Sequence, residues 1–200
     1  MSISIDVDSL VTPKARHIFG PSNYQDYQYA ELRALCQAFG WSSVPWLEPS
    51  PVRGATDTSC SSIRYYRLLG VARAYARGTA FRVYNEENRL ALTVDEERLF
   101  PHLLIRATWS NYYLPVDFDH PLQFEGAWGT VSAGSVIRLE SELARLTAII
   151  PDIHGRGGTA VTDQEEAGVD AINDAGTVCE LLLAATRESM QLQLPLLLRG

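Results

Sequence analysis

The chain has 200 residues, 46% of them apolar, which is enough for one domain of ordinary size with a buried core. Its 17 basic and 24 acidic residues give a net charge of −7. The resulting field repels phosphate backbones and anionic lipid and attracts basic proteins or cations, so we expect a basic protein partner and no nucleic acid.

Residues 1–21 alternate Ser and Asp with Ile and Val before a Gly-Pro break, which predicts an extended leader ahead of a single domain over 22–200. The leader has no basic and apolar signal region, and no apolar run approaches the roughly 20 residues that a membrane span needs. Cys36, Cys60 and Cys179 are widely spaced and odd in number, as is typical of reduced thiols. These features predict a cytoplasmic protein with no membrane contact.

Apolar residues at intervals of three and four predict four helices. The first runs over 23–39 with Gly40 as its stop, and the second begins near residue 60 and ends at Gly78. Residues 79–94 alternate in a way that suits a short hairpin, although a loop is nearly as well supported. An aromatic turn over 109–116 and a surface loop over 117–133 are expected to follow.

The third predicted helix begins at Gly134-Ser135 and is stopped by Pro151. Its buried stripe consists of Val136, Leu139, Leu143, Leu146 and Ile150. Glu142 is expected on the solvent side, beside Arg138 and Arg145. A long last helix starts at Thr162 or Asp163 and ends near Gln191. The fold class predicted from this pattern is mainly α, a single domain of four or five helices with at most a short hairpin and therefore only minor β structure.

Four carboxylates of the last helix lie at helical spacing. Asp163, Glu166, Asp170 and Asp174 follow one another at intervals of three, four and four residues, and residues so spaced share one face of a helix. A charged face is ordinary on an amphipathic surface helix, but it also suits the docking of a basic partner. We take these four residues as predicted partner-binding residues.

Aromatic residues could supply the apolar part of the same interface. The candidates are Trp41 and Trp46 in a proline-rich loop, and Trp109, Tyr112 and Tyr113 in the aromatic turn. Large aromatic side chains are equally common in protein cores. The sequence therefore leaves open whether these five residues are interface or core.

A second class of site is suggested by His102, Asp117, Asp119 and His120, whose side chains are of the types that bind divalent metals. Their spacing is that of no established metal motif, and an Asp-rich turn explains the second, third and fourth better than a metal site does. No Ser or Cys sits in a nucleophile motif. We therefore predict no catalytic residues, no bound metal and no cofactor.

Several segments resemble a known group of proteins. They are Phe-Pro-His-Leu-Leu at 100–104, Asn-Tyr-Tyr-Leu-Pro-Val-Asp-Phe at 111–118, Gly-Ser at 134–135, and Leu139 with Glu142 and Leu143. The resemblance is to uncharacterised small bacterial cytosolic proteins with the pattern HLLxHSD, GYYxPVxF, GSS and LxxEL. This chain has Arg106, Ala107 and Thr108 where that pattern has His, Ser and Asp. The resemblance implies a largely helical single domain, and some such proteins look like the immunity partners of bacterial toxins.

The leading hypothesis is a non-enzymatic, acidic binding protein, specifically an immunity protein that neutralises a basic bacterial toxin domain. One alternative is a small metal- or ligand-binding enzyme that uses the region of His102, Asp117, Asp119 and His120. Another is a structural or adaptor subunit. The sequence leaves the oligomeric state open.

Overall fold

The computed structural model describes residues 2–7, 36–37, 39–41, 57–79, 81, 92–105, 110–126, 129–155 and 163–199. In chain order these form β1 (Ser2–Val7), β2 (Asp57–Ser61), α1 (Ser62–Arg77), α2 (Val94–Leu99), β3 (Ser110–Leu114), β4 (Leu122–Gly126), β5 (Gly129–Ser135), α3 (Val136–Gly155), α4 (Asp163–Leu192) and β6 (Leu196–Arg199). The described helices and strands together make an α+β fold.

The strands form one mixed sheet in the order β2-β1-β6-β3-β5-β4. The pair β3 and β5 is parallel, and the other neighbouring strands are antiparallel. The predicted mainly α fold with at most a short hairpin is therefore wrong. The aromatic turn is largely strand β3, and the expected surface loop over 117–133 contains β4 and most of β5.

Burial on both faces explains why β3 and β6 show no strand pattern in the sequence. Leu196, Leu197 and Leu198 of β6 are all buried, as are Tyr112 and Tyr113 of β3. A strand covered on both sides reads as a continuous apolar run without the period-two alternation that identifies a half-exposed strand. Moreover, β1 and β6 come from opposite ends of the chain, and no local pattern records such a pairing.

Three helices lie on the sheet with α4 between the other two. α1 contacts β1 and β2, α4 contacts β1 and β6, and α3 contacts β3 and β5, while α4 also packs against both α1 and α3. Side chains of the three helices and of this sheet face form the core, in which Leu68, Leu143 and Leu182 are fully buried. One face of α4 is left for solvent.

The helices themselves follow the sequence pattern closely. Ser61 caps α1 by accepting from the Arg64 N–H, and Gly78 ends that helix in the left-handed region at φ 63°. The predicted stripe of α3 is buried at all five positions, and Ser135 accepts from the Arg138 N–H at its start. Pro151 does not stop α3, which continues to Gly155. A proline removes one N–H donor, and the neighbouring turns of a helix can tolerate that loss.

Several sequence predictions lie largely outside the described residues. Of the first predicted helix, residues 36–37 are helical and Gly40 has the positive φ of a helix stop, at 76°. Most of the predicted hairpin over 79–94 is not described. Residues 2–7 form β1, whereas the division into a leader over 1–21 and a domain over 22–200 remains a prediction. None of the helices in the described part of the chain is long and apolar enough to span a membrane.

Gly134 in β5 gives a test of how tightly the core is packed. A Cβ at this position would lie 2.7 Å from Cδ1 of Tyr113, a fully buried ring, and 3.1 Å from Cδ1 of Ile105. We expect Gly134→Ala to lower the free energy of unfolding by about 1–3 kcal/mol, because the ring has no free space to move into. Urea unfolding followed by circular dichroism measures the change.

Gly176 in α4 is the matched control. A Cβ there meets only Ile150 Cγ2, at an ordinary 3.7 Å. Alanine is favoured over glycine inside a helix by roughly 0.5–1 kcal/mol, so Gly176→Ala should stabilise the protein. If the two substitutions changed stability equally, tight packing at Gly134 would be disproved.

Candidate functional site

The net negative charge of the chain is concentrated on α4. Residues 163–192 contain seven acidic residues and one arginine, a net charge of −6 out of −7 for the whole chain. The exposed positions of α4 between residues 170 and 191 recur every three or four residues. We call these positions the outer face of α4; they are Asp170, Asn173, Thr177, Glu180, Ala184, Arg187 and Gln191.

Of the four carboxylates predicted to share one face, the structure describes the side chains of two, and these two differ in their surroundings. Asp170 is exposed on the outer face, whereas Asp174 is turned toward α1 and its side chain is only 21% exposed. Asp163 and Glu166 lie within the first turns of α4, but their side chains are outside the described part of the structure. Their role in partner binding remains a prediction.

The four arginines of α1 are paired with carboxylates of neighbouring helices. Nε of Arg64 lies 2.9 Å from Oδ1 of Asp174, and Nη1 of Arg67 donates to Oδ2 of the same carboxylate. Arg73 and Arg77 both approach Glu96 of α2, the second at 2.9 Å. The basic charge of α1 is therefore neutralised by carboxylates of α4 and α2 in the same molecule.

Glu96 is fully buried and forms the capping box of α2. It accepts from the Thr93 N–H at 2.7 Å, while Oγ1 of Thr93 accepts from the Glu96 N–H. Burial alone would raise the pKa of Glu96, but the Thr93 N–H and the guanidinium groups of Arg77 and Arg73 outweigh burial and hold the pKa below its usual value. Glu96 is thus a buried carboxylate with a structural function.

The aromatic candidates fall into three groups. Tyr112 and Tyr113 are buried in the core. Trp41 is half-buried and packs on Phe39 and Phe118, each at 5.4 Å between ring centroids. Trp46 and Trp109 lie outside the described residues. Of the five candidates, Trp41 is thus the one whose described side chain reaches the surface.

His102, the first residue of the alternative site, is buried and both of its ring nitrogens are hydrogen-bonded. Nδ1 accepts from the Ser135 N–H at 3.0 Å, so the neutral ring carries its proton on Nε2, which donates to the Asp119 carbonyl at 3.2 Å. Burial lowers the pKa of His102 to about 4. At neutral pH the ring therefore holds the 119 turn against the start of α3.

Asp117 and Asp119, also of the alternative site, both bind Arg138. Nε of Arg138 lies 2.6 Å from Oδ1 of Asp117, and Nη2 lies 2.8 Å from Oδ1 of Asp119. His120 is exposed nearby. Within the described ranges no three His, Cys, Asp or Glu side chains are arranged to hold a metal ion. The four residues are brought into one region, in which Asp117 and Asp119 pair with Arg138 and His102 is bonded to the turn at residue 119.

Glu142 is the buried polar residue that sequence reasoning placed wrongly. It was expected on the solvent side of α3, but only 5% of its surface is exposed. Its two carboxylate oxygens accept from the main-chain N–H groups of His102 at 3.1 Å and Leu103 at 2.7 Å. Tyr113 reinforces the same turn by donating its hydroxyl to the His102 carbonyl at 3.1 Å.

These contacts bring together the segments that carried the sequence resemblance. His102 comes from the 100–104 segment, Tyr113 from 111–118, Ser135 from the Gly-Ser pair and Glu142 from α3. We call these four residues the buried network. Because each of the four is buried and each makes a bond that connects one element to another, the network is structural.

The fold and charge define an α+β protein with an acidic helical face. The model of a family described as "Putative DNA-mimic protein" matches residues 1–198, and the chain belongs to this family. It matches no curated protein and no solved structure. The family description supports an acidic binding protein and gives no support to a toxin-immunity role.

Family membership corrects the predicted partners. A toxin domain is not supported as the basic partner, and the exclusion of any connection with nucleic acid is wrong, because a DNA mimic takes part in nucleic-acid recognition as an imitation. A net charge of −7 repels DNA, but negative charge is also what a substitute for a phosphate backbone must carry.

The buried network can be tested through Glu142. In Glu142→Gln one oxygen becomes an NH2 group that cannot accept a hydrogen bond, so one of the two main-chain N–H groups stays buried and unpaired. We expect a loss of about 1–3 kcal/mol in the free energy of unfolding. The control is Glu140→Gln, whose carboxylate makes a partly exposed ion pair with Arg187 and should cost less than about 1 kcal/mol.

The same variant should change the pH dependence of stability. Burial raises the pKa of Glu142 from 4.5 to about 7, so the folded protein keeps this proton to higher pH than the unfolded chain does. The stability that the protonated Glu142 side chain contributes is complete below pH 4.5 and is lost as the pH rises through 7. The stability difference between wild type and Glu142→Gln should therefore shrink from pH 4.5 to pH 8 in urea titrations. A difference that grows with pH would contradict a raised pKa.

Proposed function

We propose that this protein binds a DNA-binding protein in place of DNA and does so through the outer face of α4. The observation that carries the proposal is the segregation of charge, which puts a net −6 on one helix of a DNA-mimic family member. A protein that binds DNA presents arginines and lysines to phosphates. A helix that presents carboxylates can bind the same arginines and lysines.

Pairing within the chain decides which carboxylates are available to such a partner. Among the described residues, the acidic groups of Asp95, Asp117, Asp119, Glu140, Asp174 and Glu96 each lie in an ion pair with an arginine. Asp170 and Glu180 have no arginine within ion-pair distance in the same part of the chain, and both are exposed on α4. Within the described part of α4, the exposed carboxylates without an arginine partner therefore lie on the outer face, and Glu97 of α2 is a further exposed carboxylate outside the ion pairs.

The dimensions of α4 suit this use. A helix rises about 1.5 Å per residue, so Asp170 and Glu180, which are ten residues apart, lie roughly 15 Å from each other along its axis. Successive phosphates of one DNA strand rise about 3.4 Å along the duplex axis. With 30 residues, α4 is about 45 Å long, enough to cross the phosphate-binding surface of a small DNA-binding domain. Asp163 and Glu166, two turns and one turn before Asp170, are proposed to extend the row.

In the proposed mechanism the protein covers the DNA-binding surface of its partner, and no chemical reaction takes place. Surface carboxylates steer a basic protein into contact and choose the partner by the sign and position of charge. The bound partner then has fewer free cationic groups with which to hold DNA. Binding of this kind should weaken as salt is added, because exposed charges are screened within about 10 Å at 0.1 M ionic strength.

The partner can be identified by capture with the tagged protein from a lysate treated with nuclease, so that DNA does not bridge the two proteins. The proposal requires that a captured protein, once purified, also binds duplex DNA. A stoichiometric partner with no affinity for a duplex would contradict the proposed function.

Charge reversal on α4 tests the surface. The double variant Asp170→Lys with Glu180→Lys should bind the purified partner at least about tenfold more weakly in low salt, since each reversal places like charges together at the interface. The control is Asp95→Lys with Glu97→Lys on α2, which changes the net charge equally at two exposed positions. Calorimetry measures both affinities, and equal losses would show that net charge and not the outer face of α4 decides binding.

A further inference from the structure

In the contact between α1 and Asp174, arginines of one helix bind a carboxylate of α4, as a basic partner would in the proposed interface. Two arginines of one helix, Arg64 and Arg67, reach one carboxylate of α4 from a spacing of three residues. Guanidinium groups on a helix are also what many DNA-binding proteins present to phosphate. Asp174 lies four residues after Asp170, one turn along the helix beside the outer face, but in this structure it is occupied from within the molecule.

The pairing is not needed to join the two helices. α1 and α4 pack along each other, and both contribute fully buried apolar residues, among them Leu68 and Val71 of α1 and Ala175 and Val178 of α4. Arg64 is 53% exposed, so solvent and a partner can reach its side of the contact. Nε of Arg67 is buried and has no hydrogen-bond partner among the described residues, which leaves this arginine incompletely satisfied.

We propose that Arg64 and Arg67 act as internal competitors that withhold Asp174 from a basic partner. While the two guanidinium groups hold the carboxylate, the partner meets the outer face with Asp174 already neutralised. When the contact is broken, Asp174 adds its charge to that of Asp170 and the affinity rises. This inference rests on the proposed function, since it concerns the same face of α4, but it can be tested without the natural partner.

The test uses an octa-arginine peptide as the basic probe, with affinity measured by calorimetry on the full chain. Arg64→Gln with Arg67→Gln should bind the peptide at least about fivefold more tightly than wild type, as expected when two competing cations are removed from one carboxylate. Asp174→Asn alone should change binding less than twofold, because this carboxylate is already occupied in wild type.

A pair of triple variants separates Asp174 from net charge. Adding Asp174→Asn to the double variant should abolish the gain in affinity. Adding Asp95→Asn to the double variant changes the net charge by the same amount, at an exposed residue of α2, and should preserve most of the gain. If the two triple variants bind equally, or if the double variant binds no more tightly than wild type, the competitor role is overturned.

The result can be interpreted even if the double variant does not fold or the proposed function is wrong. Should the double variant fail to fold, as judged by circular dichroism, Arg64→Gln alone replaces it, because Arg64 is the more exposed arginine, and a smaller gain that still depends on Asp174 is then expected. A captured partner with no affinity for duplex DNA would remove the proposed function. The peptide experiment would still report whether the arginines compete for Asp174.

Discussion

Glu142 is the residue on which the arrangement of the sheet and helices depends. Its two oxygens accept hydrogen bonds from main-chain N–H groups of the turn after α2. The same turn is bonded to Tyr113 of β3 and, through the ring of His102, to the start of α3. Placing a carboxylate in the core is costly unless hydrogen bonds replace the lost water. Here two main-chain N–H groups do so, and the result connects four elements that are distant in sequence.

Charge is organised separately from this core. The arginines of α1 neutralise Glu96 on one side and Asp174 on the other, so the basic helix serves as an internal counter-charge. α4 lies between α1 and α3 and keeps one row free for solvent. The position of α4 in the helical layer thus determines which carboxylates remain for a partner. The same position leaves Asp174 within reach of α1.

The helices could be predicted from the sequence because the residues that define each helix lie close together in the chain. The stripe of α3, the serine caps of α1 and α3 and the stop at Gly78 all lie within one or two turns of the positions they define. The sheet could not be predicted in this way. β5 reads Gly-Thr-Val-Ser-Ala-Gly-Ser, with few residues that favour strands, and it is a strand because β3 and β4 pair with it.

The site shows the same division. Periodicity alone indicated the acidic row of α4, but it could not show that Asp174 turns toward α1 while Asp170 faces solvent. That difference depends on Arg64 and Arg67, more than 100 residues earlier in the chain. Glu142 was misplaced for a related reason. Its partners are main-chain N–H groups about 40 residues away, and the identity of a side chain does not record them.

The most direct test of the central claim is a competition between this protein and DNA for the same partner. The purified partner is bound to a fluorescent duplex, and the anisotropy of the duplex is followed as this protein is added. Substitution for DNA requires that the duplex be released completely, with an apparent affinity that falls as the duplex concentration is raised. A stable complex containing partner, duplex and this protein together would contradict it.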